Sequence, residues 1–197
     1  MVWVGLAITI CAIFTGFTFL QARAKPLPIY GSLPDFTLAD QDNQKTTLAT
    51  LRGDVCIADA IFTRCAGQCL IMSSTMKQIQ GALPGSLPVK LVSFTTDAAY
   101  DTPAVLKKYG ARYGAEDGRW LFLTGDKTIL RHAMVDGLKL SVVDKPPGEQ
   151  ETPDDLFIHS TKLVLIDKEG RIRGYFDGET PDSVAQIIAD AKSLARE

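Results

Sequence analysis

The sequence is short of the residues that most often announce a chemistry. It holds two histidines and four cysteines in 197 residues. Those cysteines are too few and too scattered for a disulfide-framework miniprotein. Excess charge is also missing: 21 Lys+Arg face 23 Asp+Glu, a formal net of -2, which removes the footprint of a general nucleic-acid binder. There are no internal repeats and no low-complexity tracts. What is present is enough apolar material for a core, with 46% hydrophobic and 22% charged residues, so wholesale disorder is excluded. The length suits one domain with an appendage.

The appendage is N-terminal. Residues 2–20, VWVGLAITICAIFTGFTFL, carry no charge and no proline, and as a helix they span roughly 28 Å, close to a bilayer's hydrocarbon thickness. We expect residues 1–24 to be a retained single-pass membrane anchor. A cleaved signal is the rival reading, with Ala22-Arg23-Ala24 as its processing site, although no positive charge precedes the run. Residues 25–31, with Lys25-Pro26-Leu27-Pro28, read as a stiff linker, and residues 32–197 as the folded domain. Arg23 and Lys25 on the C-terminal flank vote for a cytoplasmic domain, against the chemistry below.

Phe36–Leu38 and Thr46–Leu48 flank the polar turn DQDN and suggest a hairpin. Val55–Phe62 is an apolar run of strand length, as expected for a strand covered on both faces. Met72, Met76 and Ile79 recur at helical spacing until Gly81 and Pro84. Strands follow over 89–94 and 120–123, with a helix from N-cap Thr102 and Pro103 to about Arg112 and another over 126–137. A hairpin turns at Lys168-Glu169-Gly170, and a last helix runs over 181–195. Alternating strands and helices, then a hairpin and a helix, define a three-layer α/β domain with a mixed sheet. Segment 139–158 reads as an irregular insertion, and its stretch 144–155 holds five acids and one base. It is a solvated loop or a docking surface for a basic partner.

Cys65 and Cys69 form a C-x-x-x-C unit in FTRCAGQC, between a buried strand and a helix. There the helix N-terminus and Arg64 favour a thiolate, which serves both as redox nucleophile and as soft ligand for Cu(I). Cys56, in the strand run, and Cys11, in the apolar segment, read as inert packing residues. His132 lies off its helix's apolar stripe and reads as a surface residue. His159 directly precedes a strand that should pair near the first one, so it could reach the cysteine loop. An imidazole completing two thiolates makes a three-coordinate site suited to copper, whereas structural zinc wants a fourth ligand.

The runs FTRCAGQC, SFTTDAAYDTPAVLKKYGARYG, GRWLFLTG and FIHSTKLVLIDKEGRIRGYFDG, in this order, resemble the Sco/SenC family from about residue 32 to the C-terminus. The resemblance implies a thioredoxin-like fold and copper ligation by Cys65, Cys69 and His159. It further implies a membrane-anchored metallochaperone that delivers copper to the binuclear copper site of cytochrome c oxidase, or that reduces the cysteines of that target. Asp97 and Asp101 match acidic positions of the family, or serve only the turn and the helix start. Family members commonly have proline after each cysteine; this chain has Ala66 and Leu70, which points to a looser loop.

We therefore expect a copper-binding assembly factor rather than a turnover enzyme. Its partners would be a copper-accepting oxidase subunit, a copper donor and a thiol reductant, with the domain in the bacterial periplasm. The rival is a thiol–disulfide oxidoreductase using Cys65 and Cys69 as its catalytic pair. A peroxiredoxin-like peroxidase fits closely spaced cysteines less well.

Overall fold

The computed structural model describes residues 26–65, 67–150 and 157–197. The expected anchor, Cys11 among it, lies outside the described residues. Among those described, no helix is long and apolar enough to cross a membrane.

Ten strands and five α-helices are described. The strands are β1 (Gly31–Ser32), β2 (Thr37–Ala39), β3 (Lys45–Thr47), β4 (Val55–Ile61) and β5 (Val89–Thr95), then β6 (Trp120–Leu123), β7 (Val142–Asp144), β8 (Phe157–His159), β9 (Lys162–Ile166) and β10 (Arg171–Asp177). The helices are α1 (Leu48–Leu51), α2 (Gln68–Ala82), α3 (Pro103–Tyr113), α4 (Lys127–Arg131) and α5 (Pro181–Leu194). A six-stranded sheet runs in the order β1-β10-β9-β4-β5-β6, with β2-β3 and β7-β8 as separate pairs. β4, β5 and β6 are mutually parallel, whereas β9 pairs antiparallel with β4, β10 with β9, and β1 with β10. The sheet is mixed, as the sequence implies.

Strand β4 is buried at every position, and side-chain alternation divides it between two layers. Val55, Ile57 and Ile61 meet Met72, Met76 and Ile79 of α2, with Leu106 of α3 and Ile187 of α5 in the same core. Cys56, Ala58 and Ala60 face Phe36, Leu38, Leu48 and the α4 side chain Leu130. Complete burial of Met72, Met76 and Ile79 is worth about 2 kcal/mol each relative to exposure, so α2 owes its place to this stripe. Pro84 follows its end and cannot extend it. Helix α3 starts as the sequence suggests, with the Thr102 hydroxyl accepting from the Val105 N–H, and stops at Gly114 in the left-handed region with φ 70°.

Two expectations needed revision. The helix over 126–137 is α-helical only to Arg131 and continues as a π-helix over His132–Gly137, a change of winding that apolar spacing does not report. Segment 139–158 is not simply irregular: it contains β7, a 3-10 turn (Pro147–Glu149) and β8. Short strands with few apolar positions leave little periodicity to read.

The stretch before β1 lies along the sheet edge. The Arg173 guanidinium donates to the carbonyls of Leu27 (2.7 Å) and Pro28 (3.2 Å) and pairs with Asp167 at 2.8 Å, with both partners buried. Burial would raise the Asp167 carboxyl, but the Arg171 backbone N–H and the Arg173 and Arg171 side chains outweigh it and hold it below the usual range. This contribution to stability is complete above the unfolded value near about 4 and is lost as pH falls through the lower folded value. Asp167→Asn should cost about 3 kcal/mol at neutral pH and flatten the acid limb of the stability curve, as read by urea unfolding against pH.

Candidate functional site

The C-terminal ends of β4, β5 and β6 lie along one edge of the sheet, and the cysteine loop leaves from the first of them. Cys65 is partly exposed and Cys69 fully buried. The two sulfurs are hydrogen-bonded to one another, and the Phe62 N–H donates to Cys69 Sγ at 3.5 Å. Cys69 occupies the first turn of α2, whose N-cap Gly67 provides no side-chain cap.

The expected thiolate pair is corrected at Cys69. Its hydrogen bond to Cys65, then burial, push this thiol far above the ordinary range, with the Asp59 carboxylate adding to the effect. The Phe62 N–H opposes this without reversing it. Arg64 is engaged elsewhere: its guanidinium pairs with Asp97 at 2.6 Å and lies 4.4 Å from the Tyr100 ring centroid. The reduced pair is therefore asymmetric, a buried protonated sulfur behind a partly exposed one.

Asp97 and Asp101 are tethers for this loop. Asp101 is fully buried and accepts from the Thr63 N–H at 3.2 Å and from the Thr63 and Thr95 hydroxyls. Burial still raises its carboxyl above the usual range, these three hydrogen bonds notwithstanding, and the Asp97 charge adds to the rise. The helix start itself belongs to Thr102. Together the two aspartates clamp residues 63 and 64, immediately before Cys65, onto the β5–α3 loop. From the other side, the Tyr109 hydroxyl of α3 donates to the Cys69 carbonyl at 3.5 Å and bonds Ser73 at 2.7 Å.

His159 ends β8, where its backbone registers with Val142 of β7. The placement of its imidazole lies outside what the structure describes, as does Ala66. The link between this arm and the cysteine loop is Phe157, whose ring meets Phe62 edge-on at 5.2 Å between centroids. The following strand, β9, pairs with β4 as expected. His132 is exposed, its Nδ1 2.9 Å from Asp136, which bears out its surface assignment. Cys56 is buried, its thiol pushed up to about 12 chiefly by burial, in keeping with an inert packing residue.

Sequence reasoning missed Asp59 and Tyr100. Asp59 is the one charge inside the run VCIADAIF, a visible interruption of an otherwise apolar strand. Tyr100 shows no pattern in one dimension, since its role is to lie under Arg64.

A mixed sheet with a cysteine pair at the turn from its central strand into a helix defines a thioredoxin-like protein. More narrowly, the chain belongs to the SCO1/SenC family, whose pattern matches residues 30–196. It is similar to BsSco, a structure described as revealing a disulfide switch in a member of the Sco family of cytochrome c oxidase assembly proteins. The identity is 30%, covering 88% of this chain and 99% of that one, with a TM-score of 0.75. A SCO1/SenC family lipoprotein from Bacillus anthracis str. Ames is 31% identical, covering 85% of this chain and 97% of its own, with a TM-score of 0.74. Yeast Sco1 with copper bound is 26% identical over 84% of this chain and 90% of its own, at a TM-score of 0.66.

Proposed function

We propose that this protein is a copper metallochaperone that carries the ion as cargo between Cys65, Cys69 and His159 and delivers it to the binuclear copper site of cytochrome c oxidase. The carrying observation is the hydrogen-bonded cysteine pair at the mouth of α2. Two soft sulfurs within one helical turn and its preceding loop are a donor set that Cu(I) favours over harder divalent ions. Loading the pair requires Cys69 to give up its proton, so metal uptake is coupled to proton release. His159 follows Phe157 by two residues along β8, and Phe157 meets Phe62 three residues before Cys65. That relation supports His159 as the third ligand. The family relationship and the copper-bound yeast structure support the choice of metal. Delivery would proceed by exchange with incoming ligands of a copper-accepting oxidase subunit, after loading from a separate donor.

On this reading residues 1–24 anchor the domain to a membrane and place it in the bacterial periplasm, where a thiol reductant must keep the pair reduced. The buried, protonated Cys69 also favours a second reading, thiol–disulfide exchange. Cys65 as thiolate would attack a partner disulfide and release one partner thiolate. Cys69, on losing its proton, would then attack the Cys65 sulfur, releasing the second partner thiolate and leaving a Cys65–Cys69 disulfide. The partner gains two electrons and this protein loses them.

Titration of Cu(I) and Cu(II) into the reduced protein separates the readings. The metallochaperone requires one tight copper per chain, at least about 100-fold weaker after Cys69→Ser and measurably weaker after His159→Ala. Weak copper binding together with fast reduction of a protein disulfide would favour the exchange reading.

A further inference from the structure

The chain enters the fold through a fastened segment. Leu27 packs against the core shared by α2, α3 and α5. The carbonyls of Leu27 and Pro28 accept from the Arg173 guanidinium, and the same guanidinium holds Asp167. Asp167 in turn accepts from the Glu169 and Arg171 N–H groups in the β9–β10 turn. The segment is thereby pinned beside that turn, and Tyr30 joins the sheet edge by donating to the Ile172 carbonyl at 2.9 Å.

This turn stands at the end of the sheet away from the cysteines. Ile166 is in register with Cys56 near the start of β4, and the cysteine loop leaves the other end of that seven-residue strand, about 20 Å away. Chain length limits how far the pinned segment can stand from the apolar run. Leu20, the last residue of that run, precedes Leu27 by seven positions, which span at most about 25 Å.

Apolar and basic side chains meet at the same corner. Ile29 and Tyr30 stand exposed there. Gly53 donates to the Lys168 carbonyl, and the Lys168 ammonium to the Ala195 carbonyl, which gathers Arg52, Lys168 and Arg196. Lys192 lies four residues before Arg196, on the last turn of α5. The acids Asp54, Asp167 and Glu169 at this end are already bonded to Lys90, Arg173 and Arg171, so they do not neutralise these four cations. Asp190 and Glu197 offset two of them, and the connecting residues add Arg23 and Lys25.

We propose that this corner, with Ile29, Tyr30, Arg52, Lys168, Lys192 and Arg196, rests on the anionic headgroups of the bilayer and turns the cysteine pair away from the membrane. The inference rests on the reading of residues 1–24 as a membrane anchor. Tyrosine and an aliphatic side chain suit the interfacial layer, and clustered cations suit acidic lipids. The short connection keeps the corner at the surface. The pair then meets the extramembrane part of a partner rather than a segment within the bilayer.

The test reconstitutes the full-length protein in nanodiscs of phosphatidylcholine and phosphatidylglycerol that carry a headgroup-bound acceptor dye. A donor dye is attached through an azido amino acid placed at Glu169, in the β9–β10 turn, or at exposed Ala99, beside Tyr100 at the cysteine end. Energy transfer from position 169 should be at least about threefold that from position 99, as a difference in height of about 20 Å requires. High salt should weaken the contrast. The variant Ile29→Ser/Tyr30→Ser/Arg52→Glu/Arg196→Glu changes only exposed side chains, and circular dichroism checks that its fold is kept. It should bring the two efficiencies together while still co-migrating with the discs. Equal transfer from both positions in the wild type, or stronger transfer from position 99, would overturn the proposal. So would a contrast that the variant leaves intact, which would show that the corner makes no lipid contact. A wild-type chain that does not co-migrate with the discs would instead sink the anchor reading, and the orientation with it.

Discussion

Asp101→Ala should destabilise the protein by about 3 kcal/mol and lower its Tm by roughly 10 °C. Asp101 is fully buried, and its removal leaves the Thr63 N–H and the Thr63 and Thr95 hydroxyls without their acceptor. Lost hydrogen bonds of this kind cost most when the orphaned donors stay dry. Asp101→Asn should cost much less, because the amide oxygen still accepts and a hydroxyl can turn to meet the amide N–H. The two variants also separate charge from shape. Since the Asp101 carboxyl is raised in the folded protein, its ionised form disfavours folding above the folded value, and that penalty lifts as pH falls through it. This is the opposite sign to Asp167, and Asp101→Asn should remove it. Loss of the tether should reach the cysteine loop too, loosening residues 63 and 64 before Cys65. Chemical denaturation across pH checks the whole set; an Asp101→Ala variant as stable as wild type would show that the clamp carries no energy.

The second large effect concerns the pair itself. Iodoacetamide should modify Cys65 on the order of 100-fold faster than Cys69 in the native reduced protein, because the thiolate is the reacting species and Cys69 is both buried and held protonated. Mass spectrometry of briefly labelled protein would place the first adduct on Cys65, and unfolding in denaturant should bring the two rates together. Equal labelling in the native state would contradict the asymmetry. Cys56, buried with its thiol at about 12, should stay unmodified until the protein unfolds.

Much of this site is legible in the sequence, and the parts that are not share a cause. The C-x-x-x-C unit follows a run so continuously apolar that it reads as a doubly covered strand, and Met72, Met76 and Ile79 repeat at helical spacing after it. Strand, loop and helix were therefore placed by local pattern alone. Thr102-Pro103 marked the start of α3 by side-chain chemistry that acts within three residues. By contrast, the partners of Arg64 lie in the β5–α3 loop, at Asp97 and Tyr100. A long-range ion pair leaves no periodic trace, so Arg64 read as a thiolate's counter-charge. The protonation of Cys69 likewise depends on depth and on Asp59, neither of which spacing encodes. Strands β7 and β8 were missed because three-residue strands outside the main sheet lack an apolar repeat.

The most direct test of the account is X-ray absorption on the copper-loaded protein and its His159→Ala variant. Two sulfur scatterers and an imidazole nitrogen at the copper are expected, with the imidazole contribution absent from the variant and the sulfurs retained. A copper environment without sulfur, or one that His159→Ala leaves unchanged, would contradict the assignment of Cys65, Cys69 and His159 to a single ion.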